Sequence, residues 1–302
     1  MQQAWSPEGF DDYRALFPAT PALVPEPDRA LTQRFCERWR TWGAGDDDAL
    51  RALAPSVTVV LVKGYLGDWM PGNFRGPRRA LAALGFDAVL AANATGDTVE
   101  ANAARLIRQL ADRRSRERLV LCGHSKGGLE ALWALADAPA LAARCAGVLL
   151  AQTTRGPSRV LESLLLRRHQ ESLTRPHRRF AEALQRRGLD LIGAGAGGMQ
   201  LTAERLAALL ARIDAAPPPR RLIQTASWST TPTTWLDSFH QRLGEVRPGC
   251  AHDGQFYLED LMWPGAEHVL LPRLDHAQPA MGGQGFDPGR YWKVLLSELL
   301  RG

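Results

Sequence analysis

Cysteine is scarce and scattered in this chain. The four residues Cys36, Cys122, Cys145 and Cys250 are far apart and include no Cys-x-x-Cys pair. That excludes a disulfide-stapled scaffold and a thiolate zinc site, and free thiols are expected. Metal ligands at any convincing spacing are also missing, so no metal is expected. No run approaches the ~18–20 apolar residues of a membrane-spanning helix. The N-terminus, Met-Gln-Gln-Ala-Trp-Ser-Pro, lacks the basic and apolar regions of a secretory leader. A cytoplasmic protein is expected, or a secreted one whose leader has been removed. Repeats and low-complexity tracts are absent too. The sequence carries no sign of oligomeric state.

What is present suits a globular enzyme. The 302 residues, 45% hydrophobic and 23% charged, are enough for a large core. The net charge of +5 is concentrated in Arg155–Arg187, whose nine arginines and three glutamates make that segment +6. With Phe180 as its only aromatic, the segment offers no stacking platform. A solvated helical face is expected there, and no nucleic-acid partner.

Strand and helix alternate. Val57–Val62 is an unbroken β-branched run, the pattern of a strand buried on both faces. Further strands are predicted at Phe86–Ala91, Leu119–Cys122, Gly147–Ala151, Arg221–Ala226 and His268–Leu274. Helices are predicted at Arg78–Leu84, Glu100–Arg113, Leu129–Asp137 and Tyr291–Leu300. This order predicts an α/β fold with a mostly parallel central sheet flanked by helices. The whole chain, 1–302, reads as a single domain with an N-terminal helical extension over 1–54. That extension includes a helix with Leu31, Phe35 and Trp39 at four-residue spacing. Alternation fails over 155–218, where helices are predicted at Ser158–Gln170, Pro176–Arg187 and Thr202–Ile213. The segment reads as a helical cap, or lid, over the strand C-termini. Gly193-Ala194-Gly195-Ala196-Gly197-Gly198 satisfies a dinucleotide fingerprint in form, but no strand precedes it and Asp214 ends a helix. It reads as a flexible hinge, and no cofactor is expected.

The chemistry is concentrated at Gly123-His124-Ser125-Lys126-Gly127. A strand before and a helix after this Gly-x-Ser-x-Gly give the setting of a nucleophile elbow, in which Ser125 is exposed on a tight turn. A serine hydroxyl needs a base, and the base needs an orienting carboxylate. His276, just past the last strand, is the base expected from chain order. His124, His169, His177 and His268 fit less well. Asp253 is the expected acid, with Asp237 as its rival. A tetrahedral intermediate needs two N–H donors, expected from Lys126, after the serine, and from Tyr65, after Gly64 in the first-strand loop. Aromatic residues near the strand C-termini suggest an apolar pocket. Trp69, Trp228 and Trp263 are its leading candidates, with Tyr65, Trp235 and Phe256 nearby.

Taken in order, these segments resemble the bacterial true lipases of the α/β-hydrolase superfamily over about residues 57–280. Lys63-Gly64-Tyr65-Leu66-Gly67 resembles their His-Gly-x-Leu-Gly oxyanion loop. Gly123-His124-Ser125-Lys126-Gly127-Gly128 matches their Gly-His-Ser-x-Gly-Gly. Thr153–Ser158 resembles the turn entering their lid, Ala226-Ser227-Trp228-Ser229 their Ser-Trp-Ser strand end, and His252-Asp253-Gly254 their Asn-Asp-Gly around the acid. Leu274-Asp275-His276 stands at their histidine. The resemblance implies a serine carboxylic-ester hydrolase. Lys63 departs from the family histidine, and Gln278 replaces a calcium-binding aspartate, so calcium is not implied. The family's secretion has no counterpart in this N-terminus. An esterase or lipase-like enzyme is the leading expectation, acting through an acyl-enzyme on Ser125 with a small-molecule or polymeric ester as substrate. A depolymerase of an aliphatic polyester such as polyhydroxyalkanoate, or an amidase on a polymer, is the second. A catalytically silent binding module is the reading from another class.

Overall fold

The computed structural model describes residues 4–21, 29–111, 118–167, 176–231 and 237–301. Six strands form one sheet: β1 (Val57–Val62), β2 (Asp87–Leu90), β3 (Arg118–His124), β4 (Cys145–Ala151), β5 (Leu222–Trp228) and β6 (Glu267–Pro272). Their order is β2-β1-β3-β4-β5-β6, and every pairing is parallel. All six C-termini therefore point the same way, and the loops that follow them share one edge of the sheet.

Side chains alternate between two cores, as the pleat dictates. Val60 and Val62 of β1 face one core with Leu119 and Leu121 of β3. Val57, Val59 and Leu61 face the other with Val120 and Cys122. Helices Val99–Ala111 and Lys126–Asp137 cover the first face. Helices Arg29–Thr41, Arg75–Ala83 and Pro288–Arg301 cover the second. The N-terminal helix is thus a layer of the fold. Leu31 and Phe35 are fully buried, and Thr32 Oγ1 joins the β6 backbone by donating to His268 O and accepting from Leu270 N. The four cysteines are buried free thiols.

Strand β6 ends two residues before the predicted Leu274. Pro272 has no N–H to extend the ladder, and Arg273 takes φ +53°, which turns the chain out of the sheet. That turn carries Asp275 and His276 back over the strand ends.

Between β4 and β5 lie helices Arg159–Leu166, Pro176–Leu191, Gly195–Met199 and Ala203–Asp214. The glycine run differs from the expected hinge, because its second half is packed. Gly197 N–H donates to Gly96 O, and a Cβ at Gly197 would fall 2.7 Å from that oxygen. A Cβ at Gly198 would fall 2.8 Å from the Tyr65 hydroxyl. The helix Pro176–Leu191, and not a strand, leads into the run, so the dinucleotide pattern has no structural counterpart there. Among the arginines of Arg155–Arg187, Arg155 forms a two-pronged bond to Asp214 and Arg159 pairs with Glu162. Among the described residues no helix is long and apolar enough to cross a membrane.

Candidate active site

The centre of the strand edge is the turn out of β3. Ser125 has φ +54° and ψ −129°, a region costing a non-glycine residue about 1–3 kcal/mol. The surroundings hold it there. Ser125 N–H donates to Ala151 O of β4 at 2.9 Å, and helix Lys126–Asp137 starts at the next residue. The flanking glycines are needed for close approach. A Cβ at Gly123 would collide with Gly128, and one at Gly127 would lie 2.5 Å from Lys63 O.

His276 and Asp253 meet beside this turn. The buried Asp253 carboxylate accepts from His276 Nδ1 through Oδ2 at 2.8 Å, and from Gln255 N–H and Phe256 N–H through Oδ1 at 2.8 and 2.9 Å. An acceptor at Nδ1 places the neutral ring's proton there and leaves Nε2 bare as a base. Asp237 begins the helix Asp237–Val246, and its side chain lies outside the described residues, as do His169, Trp235 and the His177 side chain. His268 stands at the start of β6, where Nε2 accepts from Trp263 N–H, far from the C-terminal edge.

The histidine loop is clamped from three sides. His276 N–H donates to Asp253 O at 2.9 Å. Gln152, the residue after β4, donates through Nε2 to Asp275 O at 3.0 Å and to Ser227 Oγ. His124 donates through Nε2 to His276 O at 2.6 Å. A carbonyl only accepts, so the His124 proton is on Nε2. Burial and the adjacent His276 push the His124 pKa down to about 3, so its ring is neutral. The roles of Gln152 and His124 were not legible in the sequence. Only the spacing of His124 from the serine hinted that it lay nearby. Within the loop, Gln278 accepts from Asp275 N–H through Oε1 and donates to Gly283 O through Nε2. Gln278 is thus a neutral cross-link within the loop. Among the described residues no group of three or more His, Cys, Asp or Glu side chains is placed to hold a metal.

The loop after β1 lies against the elbow. A Cβ at Gly64 would come within 2.9 Å of Ser125 Cβ and His124 O. Neither Tyr65 N–H nor Lys126 N–H has a hydrogen-bond partner among the described residues. The Lys126 side chain turns away and is buried in an ion pair with Glu130. Asn93 Nδ2 donates both to Glu130 Oε2 and to Lys63 O, at 2.8 and 2.9 Å, and so ties the nucleophile helix to the loop. Lys63 pairs with Asp68. The Tyr65 hydroxyl donates to Ala194 O of the inserted segment at 3.0 Å.

A cavity of about 80 Å³ opens at Ser125 and His276. Its apolar wall comes largely from the inserted segment: Leu161, Leu164, Leu189 and Leu201, with Phe239 opposite. The sequence reading missed these residues. The helix predicted over Ser158–Gln170 contains Leu161 and Leu164 but does not say what they cover. Of the aromatics proposed from sequence, Tyr65 and Phe256 line the cavity, whereas Trp69, Trp228 and Trp263 do not. Trp228 is buried with its ring edge-on to Tyr13 at 5.1 Å. Trp263 is buried, with Nε1 donating to Thr153 O at 2.8 Å and Arg155 over its ring. Trp69 is 56% exposed. A large indole buries most surface by packing into the scaffold, and its lone donor favours a fixed carbonyl there.

No protein-family profile and no curated protein sequence matches this chain. Solved structures do match. A metagenomic carboxyl esterase, MGS0156, superposes with a TM-score of 0.62 at 18% identity, over 82% of this chain and 76% of that one. The mature form of a Bacillus licheniformis lipase, BlEst2, superposes with a TM-score of 0.57 at 16% identity, over 81% of this chain and 92% of that one. With its parallel six-stranded sheet and its turn at Ser125, the chain has the α/β-hydrolase fold.

Proposed function

We propose that this chain is a serine carboxylic-ester hydrolase. The observation that carries the reading is the chain of contacts from the buried Asp253 carboxylate to His276 Nδ1, with His276 and a backbone-strained Ser125 on one cavity. Ser125 Oγ attacks the ester carbonyl carbon while His276 Nε2 takes its proton. Negative charge on the carbonyl oxygen is met by the unpaired N–H groups of Tyr65 and Lys126, beside the positive end of helix Lys126–Asp137. Asp253 holds the imidazolium. Collapse of the intermediate breaks the C–O bond to the alcohol, which leaves with the proton from His276. Water then attacks the acyl-enzyme with His276 as base and releases the carboxylic acid and free Ser125. Residues 155–218 are the cap that forms the acyl wall.

Cavity size supports a short acyl group. A cavity of ~150 Å³ holds a benzene molecule, and this one is about half that. The esterase reading is therefore favoured over hydrolysis of long-chain lipids. A fluorophosphonate is expected to label Ser125, and p-nitrophenyl acetate to give a burst of nitrophenol. Ser125→Ala should lose both while keeping its unfolding midpoint. Turnover persisting in that variant, or label on another residue, would refute the mechanism. Failure of the wild type to cleave any ester would leave the binding-module reading standing.

A further inference from the structure

The polar groups of the cavity divide into those already committed and those that are not. Among the described residues no carboxylate, ammonium or guanidinium lines it. Ser125 and His276 belong to the proposed chemistry. His124 Nε2 is spent on His276 O and the Tyr65 hydroxyl on Ala194 O, while His124 Nδ1, an acceptor in this tautomer, is buried without a partner. The carboxamides that line the cavity are Asn73 and Gln255. Their backbones are held: Asn73 N–H donates to Met70 O at 3.1 Å, and Gln255 N–H to Asp253 Oδ1 at 2.8 Å. Neither side-chain amide has a hydrogen-bond partner among the described residues, and Asn73 Oδ1 is buried without one.

For Asn73 Oδ1 such a state is costly, because a buried polar group without a partner carries its full desolvation penalty, whereas Gln255 is half-buried. Elsewhere this chain uses buried carboxamides as cross-links. Asn102 joins Glu130 to the loop at Ala94, and Gln224 joins Thr153 O to Leu261 O. Gln200 Oε1 is buried without a partner, as are Asn93 Oδ1, Gln152 Oε1 and Gln224 Oε1 on amides whose nitrogens are bonded, and none of these four residues lines the cavity. Two uncommitted amides on an otherwise apolar wall are what a pocket uses to orient a polar substituent.

We propose that Asn73 and Gln255 select an ester bearing a neutral hydroxyl within a few bonds of the scissile carbonyl. The proposal rests on the ester-hydrolase reading. The group is neutral because the cavity offers no countercharge. A hydroxyl both donates and accepts, so it satisfies a carboxamide in either amide orientation. It lies close to the carbonyl because a cavity of about 80 Å³ admits only a short chain.

The test is a ratio of kcat/KM values in one enzyme sample, so the active fraction cancels. Ethyl 3-hydroxybutyrate and 2-hydroxyethyl butyrate are each compared with ethyl butyrate, for the wild type, Asn73→Leu and Gln255→Met. In the wild type at least one hydroxylated ester should be favoured about tenfold, the scale of one net hydrogen bond. In one or both variants that ratio should fall to near one. A wild-type ratio near one, or a preference that survives both substitutions, overturns the proposal. If no ester is cleaved and the fluorophosphonate leaves Ser125 unlabelled, the hydrolase reading has failed and the selection falls with it.

Discussion

Gln152 is fully buried, has φ +52°, and uses its amide to hold Asp275 O behind the proposed base. Strain and cross-link are separable there. Gln152→Gly relieves the backbone but frees the carbonyl, so kcat should fall about tenfold with the unfolding midpoint little changed. Gln152→Ala should lose both activity and stability. Equal kcat in wild type and Gln152→Gly would remove the residue from the site's support. Asp253→Asn presents an amide where His276 Nδ1 needs an acceptor, which favours the wrong tautomer. A loss of about 10³–10⁴ in kcat is expected with the fold intact. If Asp237→Asn is the damaging change instead, the acid has been misassigned. Ser125 and His276, with Asp253 as acid and Asp237 as its rival, could be put forward from sequence because an elbow motif and chain order constrain them together. The wall residues were not. Leu189 and Phe239 reach the cavity only through tertiary packing, and an indole in the sequence does not say which layer it joins.

At the scale of elements, all six strands were legible: β1, buried at every position, reads as a β-branched run, and the others follow from the alternation of strand and helix. Edges were less so. The end of β6 depends on the φ of Arg273, which an arginine in the sequence does not announce. The glycine run was misread for a similar reason, since glycine signals freedom and close contact alike. The structure distinguishes its members. A Cβ at Gly195 meets nothing within 4 Å, so Gly195→Ala should be neutral or slightly stabilising. Gly197→Ala drives a methyl into Gly96 O and should cost about 1–3 kcal/mol. Thermal unfolding of the two variants checks this, and a hinge would make them alike.

For the whole molecule, two buried imidazoles make stability depend on pH. The His124 pKa is pushed down to about 3, and burial with His240 pushes His252 down to about 4. Both stay neutral in the folded chain, whereas the unfolded chain protonates them below ~6.5. Their stabilising contribution is complete above pH ~6.5 and is lost as pH falls toward 4 and then 3. Asp260 opposes them. Burial and Glu259 raise its pKa to about 7, so the folded carboxyl keeps a proton that the unfolded one has lost. Between pH ~4 and ~6.5 the two imidazoles take up protons on unfolding and Asp260 releases one, so the imidazoles outnumber it. The unfolding midpoint should fall on acidification. Asp260→Asn should steepen the slope, and His252→Asn should flatten it. An unchanged slope in both would show that other groups set the acid limit.

The single bond from Ser125 N–H to Ala151 O has a consequence for how the site would look to heavy water. That amide sits between two central strands, so its hydrogen should exchange only when the sheet itself opens. The neighbouring amides of Tyr65 and Lys126, with no acceptor among the described residues, should exchange from the folded state, orders of magnitude sooner. Two fast protons beside one of the slowest would mark the proposed anion site with no substrate present. A bound phosphonate should slow both fast protons.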